Sequence, residues 1–314
     1  MRASLGLGCA PLANLYSEVD PDVAAATLRT ALASGITYFD TAPHYGVGLS
    51  ETRTGAVLAT VPRASFRLST KVGRVLEPGA TPHDIFENVA NLHSSFDFSA
   101  DGVRRSLASS LERLGLDGVD IVYVHDPDDA MDQALADAFP VLQKWRDDGV
   151  VGAIGAGMNH ARPLTRIVRE ADVDCVLLAG EYTLLDQTGL DELLPACEET
   201  GTRVVAAAVF NSGVLADPSD DATFFYSQAA PEIIDRARRM QDVCARYGVP
   251  LAAAAMQFPT GHPAVETVLV GMRSPEEVAT NAANFNLPIP SDLWAELQHA
   301  GLLPEHVPTP REPV

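Results

Sequence analysis

Eight short apolar runs recur along the chain, at residues 5–7, 36–39, 66–69, 119–124, 150–154, 175–179, 204–209 and 265–270. Most are continuous and do not alternate with polar residues. Strands covered on both faces read this way, as in a parallel sheet. Stretches of helical period lie between them. Val103, Leu107, Leu111 and Leu114 recur every three or four residues, with Arg104, Arg105, Glu112 and Arg113 on the other faces. Segments 22–34, 50–60, 134–147, 162–170, 190–199 and 232–247 have similar lengths and patterns. Gly35, Gly115, Gly149, Gly201 and Gly248 each follow one of these segments, where a helix C-cap takes a left-handed residue.

Strand then helix, eight times over in 314 residues with no linker, predicts a (β/α)8 TIM barrel, a single domain over residues 1–314. A doubly wound sheet is the alternative. It requires a glycine-rich phosphate turn after the first strand, but Gly6-Leu7-Gly8 runs into Cys9-Ala10-Pro11, without a third glycine or an immediate helix. Two loops are longer than a barrel requires, 73–99 after strand three and 211–231 after strand seven. Both fall on the face where barrels place active sites, so functional lids are expected there. The tail with Pro304, Pro308, Pro310 and Pro313 cannot be helical and is expected to lie over the surface.

Composition narrows the classes. Apolar residues make up 46% of the chain, too many for a disordered protein, yet no uninterrupted apolar stretch reaches the ~18 residues of a membrane span. Against 22 basic residues stand 42 acidic ones, a net charge of −20. That field repels phosphate backbones and anionic membranes, which excludes nucleic acid and membrane as partners. Cys9, Cys175, Cys197 and Cys244 form no CxxC pair, and Cys175 has apolar neighbours, as buried thiols in a reducing compartment do. Arg2 and the apolar stretch 5–13 faintly imitate a signal peptide, but Gly6, Gly8 and Pro11 break it. A cytoplasmic protein is expected.

The strand ends carry the candidate chemistry. Strand two ends in Asp40, strand three in Lys71 and strand four in His125, and Tyr45 follows Asp40 by five residues. Consecutive barrel strands are neighbours, so the four side chains converge at one mouth. Alone, a tyrosine is a poor base near neutrality, with a reference pKa of about 10. A nearby ammonium lowers that pKa, a carboxylate holds the ammonium charged, and a histidine orients a carbonyl or alcohol oxygen. Such a set moves a proton on or off oxygen while a hydride moves at the adjacent carbon, and it requires no metal. An Asp–Lys ion pair with a purely structural role is the plain alternative. Ser274, Pro275 and Glu277 spell a helix start, with Ser274 as N-cap and Glu277 completing a capping box.

Three segments, Tyr38-Phe39-Asp40-Thr41-Ala42-Pro43-His44-Tyr45-Gly46, Ser69-Thr70-Lys71-Val72-Gly73-Arg74 and Val122-Tyr123-Val124-His125-Asp126, resemble the aldo-keto reductases. The resemblance covers nearly the whole chain. It implies a (β/α)8 barrel, a nicotinamide cofactor and a catalytic tetrad of Asp40, Tyr45, Lys71 and His125, with Tyr45 as acid/base. Glu181-Tyr182-Thr183-Leu184-Leu185-Asp186-Gln187, Phe210-Asn211-Ser212-Gly213-Val214-Leu215-Ala216 and Leu293-Trp294-Ala295-Glu296-Leu297 resemble the sugar-oxidising branch. That implies oxidation of an aldose of the L-fucose, D-threo-aldose or L-galactose type to its lactone. Pyridoxal oxidation and general aldehyde reduction are the alternatives within the family. A cofactor-binding regulatory protein on the same barrel and a Schiff-base lyase using Lys71 are those outside it.

The resemblance also implies the cofactor contacts. Gly157 stands where many members have serine, and Asn159 is the candidate for the carboxamide, or else a turn asparagine. Phe210, Asn211, Ser212 and Gly213 resemble the pyrophosphate loop, with Phe210 beside the nicotinamide or in the core. Gly271, Arg273, Ser274, Glu277 and Asn281 would hold the adenosine half. NADP-preferring members often have a basic residue at the place of Glu277, so NAD is expected to be preferred over NADP, although Glu277 as a mere cap, with Arg273 on a phosphate, is the other reading. Glu181 stands where the branch usually has Arg, either altering the substrate site or forming a different salt bridge. A small-molecule substrate and a monomer or small homo-oligomer are expected.

Overall fold

All eight apolar runs become strands in the computed structural model, which describes residues 3–79 and 85–310. These are β1 (Ser4–Gly8), β2 (Tyr38–Asp40), β3 (Arg67–Val72), β4 (Ile121–His125), β5 (Ala153–Met158), β6 (Cys175–Ala179), β7 (Arg203–Ala207) and β8 (Val265–Gly271). Each pairs in parallel with the next, and β8 closes on β1. Closure decides for the barrel, because a doubly wound sheet keeps two edges. Around the barrel run α1 (Pro21–Ala33), α2 (Leu49–Leu58), α3 (Ala100–Leu114), α4 (Phe139–Asp147), α5 (Ala161–Glu170), α6 (Leu193–Thr200), α7 (Pro231–Arg246) and α8 (Pro275–Asn286). Two further helices are Leu251–Gln257 and Ser291–His299.

Local chemistry explains the helix bounds. In α3 the Ser99 hydroxyl accepts the Gly102 N–H at 3.1 Å, and Gly115 ends the helix in the left-handed region. Val103, Leu107 and Leu114 are buried, as their spacing predicts. The five punctuating glycines all take φ between 61° and 80°. α2 packs closely on α3, and a Cβ on Gly55 would lie 2.1 Å from the Leu114 carbonyl oxygen. Fully buried Glu51 accepts from Thr70 Oγ1 and from Arg113 Nε, each at 2.7 Å, so its charge is paired.

β5 departs from its apolar run by starting and ending later. Val150 is 52% exposed, while the strand continues through Gly155, Ala156 and Gly157. Small residues carry little apolar signal, but the barrel interior demands them. A Cβ on Gly155 would meet the Cys175 carbonyl oxygen at 1.7 Å, and one on Gly6 would meet the Tyr38 ring at 2.8 Å. Tyr38, Ile121, Tyr123, Leu177, Val205 and Leu269 fill that interior, and a second, larger core lies between strands and helices.

The long loops contain structure of their own. The stretch 73–99 carries an antiparallel hairpin of Arg74–Pro78 with Leu92–Phe96. Thr223–Phe224 pairs with Ser227–Gln228 around Phe225 and Tyr226, both at positive φ (46° and 62°). A two-residue turn of that kind favours Asn-Gly, which is why two aromatics concealed it in the sequence. In the tail Val307 is buried, and a Cβ on Gly261 would lie 2.6 Å from the Thr309 carbonyl carbon. Pro313 and Arg2 lie outside the described residues. All four cysteines are free and buried. Among the described residues no helix is long and apolar enough to cross a membrane.

Candidate active site

β2, β3 and β4 deliver Asp40, Lys71 and His125 to the C-terminal mouth, and the turn after β2 returns Tyr45 to it. Lys71 is 1% exposed, and its ammonium spends its three protons on three oxygens. Nζ donates to Asp40 Oδ2 at 2.6 Å, to the Thr41 carbonyl at 3.0 Å and to Tyr45 Oη at 3.0 Å. Ser69 Oγ donates to Asp40 Oδ1 at 2.7 Å, which fixes the carboxylate from behind. The His125 ring stands perpendicular to the Tyr45 ring, with centroids 5.9 Å apart. The structure therefore brings all four tetrad candidates together.

Burial and charge act against each other here. Burial opposes the Lys71 charge, but Asp40 and Tyr45 more than offset it, so its pKa lies above the usual lysine value. An amine held charged in this way is not a Schiff-base nucleophile. For Tyr45 the sequence reading expects a lowered pKa. The net direction is upward instead, because burial of the phenol outweighs the pull of Lys71. Burial, with Arg74, Lys71 and His44 nearby, pushes His125 well below its ordinary value and keeps it neutral. Its Nε2 lies 3.4 Å from Asp126 Oδ2, which favours the tautomer carrying the proton there.

Tyr45, Lys71 and His125 line a cavity of about 290 Å³, and buried Asp40 stands behind Lys71. Leu15, Ile85, Phe86 and Met158 supply apolar wall, while His44, Arg74 and Asp126 supply polar wall. Burial and the Arg74 charge bring the His44 pKa down to about 4, so His44 is neutral too. Sequence reasoning assigned no role to His44, Arg74, Asp126 or Tyr226. The first three lay inside quoted motifs, and Tyr226 lay inside a loop expected to serve as a lid.

Three of the cofactor candidates, Asn159, Asn211 and Ser212, line a narrow cleft beside this cavity. Asn159 borders both the cavity and a narrow cleft towards Ser212, and its side chain has no partner among the described residues. Phe210 is half-buried against the core. The Asn211 amide is already engaged, its oxygen accepting from Thr183 and its nitrogen donating to Gly180. Ser212 Oγ accepts the Tyr226 N–H at 3.0 Å, which docks the 223–228 hairpin on this loop. Gly213 takes φ 115° with open space around it. A free amide at the junction and an unobstructed glycine suit a carboxamide and a pyrophosphate respectively.

At the far end Gly271 closes β8, and a Cβ there would lie 2.8 Å from the Pro11 ring. Ser274 caps α8 by accepting the Glu277 N–H at 3.2 Å, as predicted. Glu277 reaches back one residue further than a capping box requires, accepting the Arg273 N–H at 2.9 Å. The Arg273 guanidinium donates to Ser17 Oγ at 2.7 Å and so ties this end to the loop after β1. Asn281 is 9% exposed, two turns along from Ser274. Replacing Ser274 by Ala removes the cap and is expected to lower the unfolding free energy by about 1 kcal/mol, read from a denaturant titration.

Glu181 has a clear local role. Its Oε2 accepts the Ala161 N–H at 2.7 Å, and its Oε1 lies 2.7 Å from His160 Nδ1. It thus supplies the acceptor at the start of α5, where His160 gives no side-chain cap. The different salt bridge is the reading that the geometry bears out.

A model of the aldo/keto reductase family matches residues 4–301. The chain is 47% identical to D-threo-aldose 1-dehydrogenase of a Pseudomonas species, over 96% of this chain and 94% of that one. It is 41% identical to pyridoxal 4-dehydrogenase of Microbacterium luteolum, again over 96% and 94%. The solved structure of the glycerol dehydrogenase from Gluconobacter oxydans matches in fold, with a TM-score of 0.76 at 23% identity over 99% of this chain and 94% of that one.

Proposed function

This chain belongs to the aldo/keto reductase family of oxidoreductases, and we propose that it oxidises an aldose at the anomeric carbon to the lactone, with NAD as the preferred cofactor. The observation that carries this reading is the Lys71 ammonium held between Asp40 (2.6 Å) and Tyr45 (3.0 Å) at the mouth of a cavity of about 290 Å³. That volume lies at the small end of ligand pockets, about 300–1,000 Å³, and suits one sugar ring. The 47%-identical D-threo-aldose 1-dehydrogenase supports a sugar substrate.

When bound, the nicotinamide supplies the hydride acceptor. As the phenolate, which the Lys71 ammonium stabilises, Tyr45 Oη takes the proton of the anomeric hydroxyl and becomes a neutral phenol as the anomeric carbon gives up hydride. Asp40, with Ser69 behind it, keeps Lys71 charged and aimed. Neutral His125 donates to the substrate oxygen and orients it. Asn159 would hold the carboxamide, Phe210 would flank the ring, and the 211–213 turn would offer the Ser212 N–H and hydroxyl to the pyrophosphate, since the Asn211 and Gly213 N–H groups already donate to the Ala208 and Phe210 carbonyls. The Ser212 hydroxyl, which accepts the Tyr226 N–H, would keep its own proton to donate to the phosphate. Gly271, Arg273, Ser274 and Asn281 would hold the adenosine half.

The NAD preference rests on the start of α8, which carries its own anions. Its own backbone N–H and the Ser274 hydroxyl hold the Glu276 carboxyl below the usual range, and Glu277 occupies the Arg273 N–H. A 2′-phosphate there meets two carboxylates. The free, buried cysteines support a reducing, cytoplasmic setting. We read residues 1–314 as one domain.

The test is reduced-nicotinamide absorbance over a panel of L-fucose, D-arabinose, L-galactose and pyridoxal, with both cofactors. Turnover of at least one aldose is expected, with kcat/KM about tenfold or more higher for NAD. No aldose oxidised with either cofactor refutes the substrate, and turnover of pyridoxal alone moves it to the activity of the second relative. A tenfold preference for NADP refutes the cofactor assignment.

A further inference from the structure

Two charged groups face the catalytic cavity without a part in the proton chemistry. Arg74 and Asp126 each end a motif whose Lys71 or His125 belongs to the tetrad. They come from segments 52 residues apart, and Arg74 Nη2 donates to Asp126 Oδ2 at 2.7 Å. Their side chains are 14% and 25% exposed. Burying a charged pair costs desolvation on both sides, so one set in a mainly apolar wall calls for a use.

The pair is fixed, and its hydrogen bonding is incomplete. The Arg74 guanidinium stacks over the Phe96 ring, 4.3 Å from its centroid. Asp126 sits at φ 47°, in the left-handed region, with its N–H bound to the Gly157 carbonyl at 3.1 Å. Among the described residues the buried Arg74 Nε has no partner, and Asp126 Oδ1 accepts from none. A rigid donor fork and a spare carboxylate oxygen therefore stand beside the reacting group. Vicinal hydroxyls complement that arrangement, one donating to the carboxylate and its neighbour accepting from the guanidinium.

We propose that the Arg74–Asp126 pair reads the hydroxyl groups next to the reacting carbon, and so selects hydroxylated carbonyl compounds over apolar ones of similar size. The proposal rests on the catalytic cavity described above. It does not depend on which sugar is the substrate.

Reduction of glyceraldehyde and of butanal by the full chain tests it, with whichever reduced cofactor the enzyme uses. Wild-type kcat/KM is expected to favour glyceraldehyde by about 30-fold or more, because an aldehyde without hydroxyls leaves the pair unsatisfied. Asn tolerates left-handed backbone, so Asp126→Asn is compatible with the fold. Asp126→Asn and Arg74→Met are each expected to bring the ratio down to about threefold or less, mainly by raising KM for glyceraldehyde. A wild-type ratio near one overturns the proposal, as does a ratio that both variants leave in place. Equal losses on both aldehydes also overturn it and assign the pair to holding His125 or the hairpin. A protein that oxidises no aldose yet shows the expected ratios refutes the substrate reading above and leaves this one standing.

Discussion

Tyr45→Phe is expected to lower kcat by about 10²–10⁴-fold and to leave the cofactor's Kd nearly unchanged. The phenol oxygen accepts from Lys71 Nζ at 3.0 Å, and Tyr45 lines the cavity in which the proposed mechanism puts the substrate. The ring itself stays in place, because its packing on Phe86 and His125 needs no hydroxyl. Steady-state turnover with cofactor titration by fluorescence measures both quantities. Wild-type kcat in the variant would remove Tyr45 from the mechanism. The raised pKa of Tyr45 adds a sign. The free enzyme holds a neutral phenol at physiological pH, ready to protonate a carbonyl in the reductive direction. Oxidation requires the phenolate, so its kcat/KM rises as pH rises towards the Tyr45 pKa.

Lys71→Met has two expected consequences. The rising limb of the oxidative pH profile moves to higher pH, because the phenolate loses the cation that partly offsets its burial. An unmoved profile would exclude the tuning role. The second consequence is on stability. Asp40 is 2% exposed, and without Lys71 its carboxylate keeps the Ser69 hydroxyl but no counter-charge. Breaking a buried pair in this way costs about 3–5 kcal/mol, measurable by denaturant titration. Lys71→Met with Asp40→Asn removes the orphaned charge, so stability returns in part while activity does not. Folding raises the Lys71 pKa, so the ammonium's contribution is fully present below the ordinary lysine value, about 10.4, and is lost as pH rises through the higher folded value. The pair thus operates unchanged across the neutral range.

Particular residues show how far the chain was legible. Asp40, Lys71 and His125 were placed by strand order alone, because parallel neighbours in a barrel put successive strand ends side by side. The α8 start was legible from Ser274, Pro275 and Glu277, since capping acts within one turn. The direction of the Tyr45 shift was not, because it is a balance between desolvation and a charge brought from 26 residues away. The hairpin at Phe225 and Tyr226 was not, because its turn contains none of the residues that announce one. Glu181 was visible as an oddity, but its partner Ala161 lies 20 residues upstream.

By itself, then, the sequence determined the eight strand–helix units, five glycine C-caps, the Ser274 N-cap and the convergence of Asp40, Tyr45, Lys71 and His125. Apolar period, capping and strand order act locally or through a regular topology, so they are written in residue type and spacing. The tertiary structure alone decided the protonation balance at Tyr45, the contact of Ser212 with the hairpin and the charged wall of Arg74 and Asp126. Each of these depends on burial and on a partner distant in the chain, quantities that exist only once the barrel has closed.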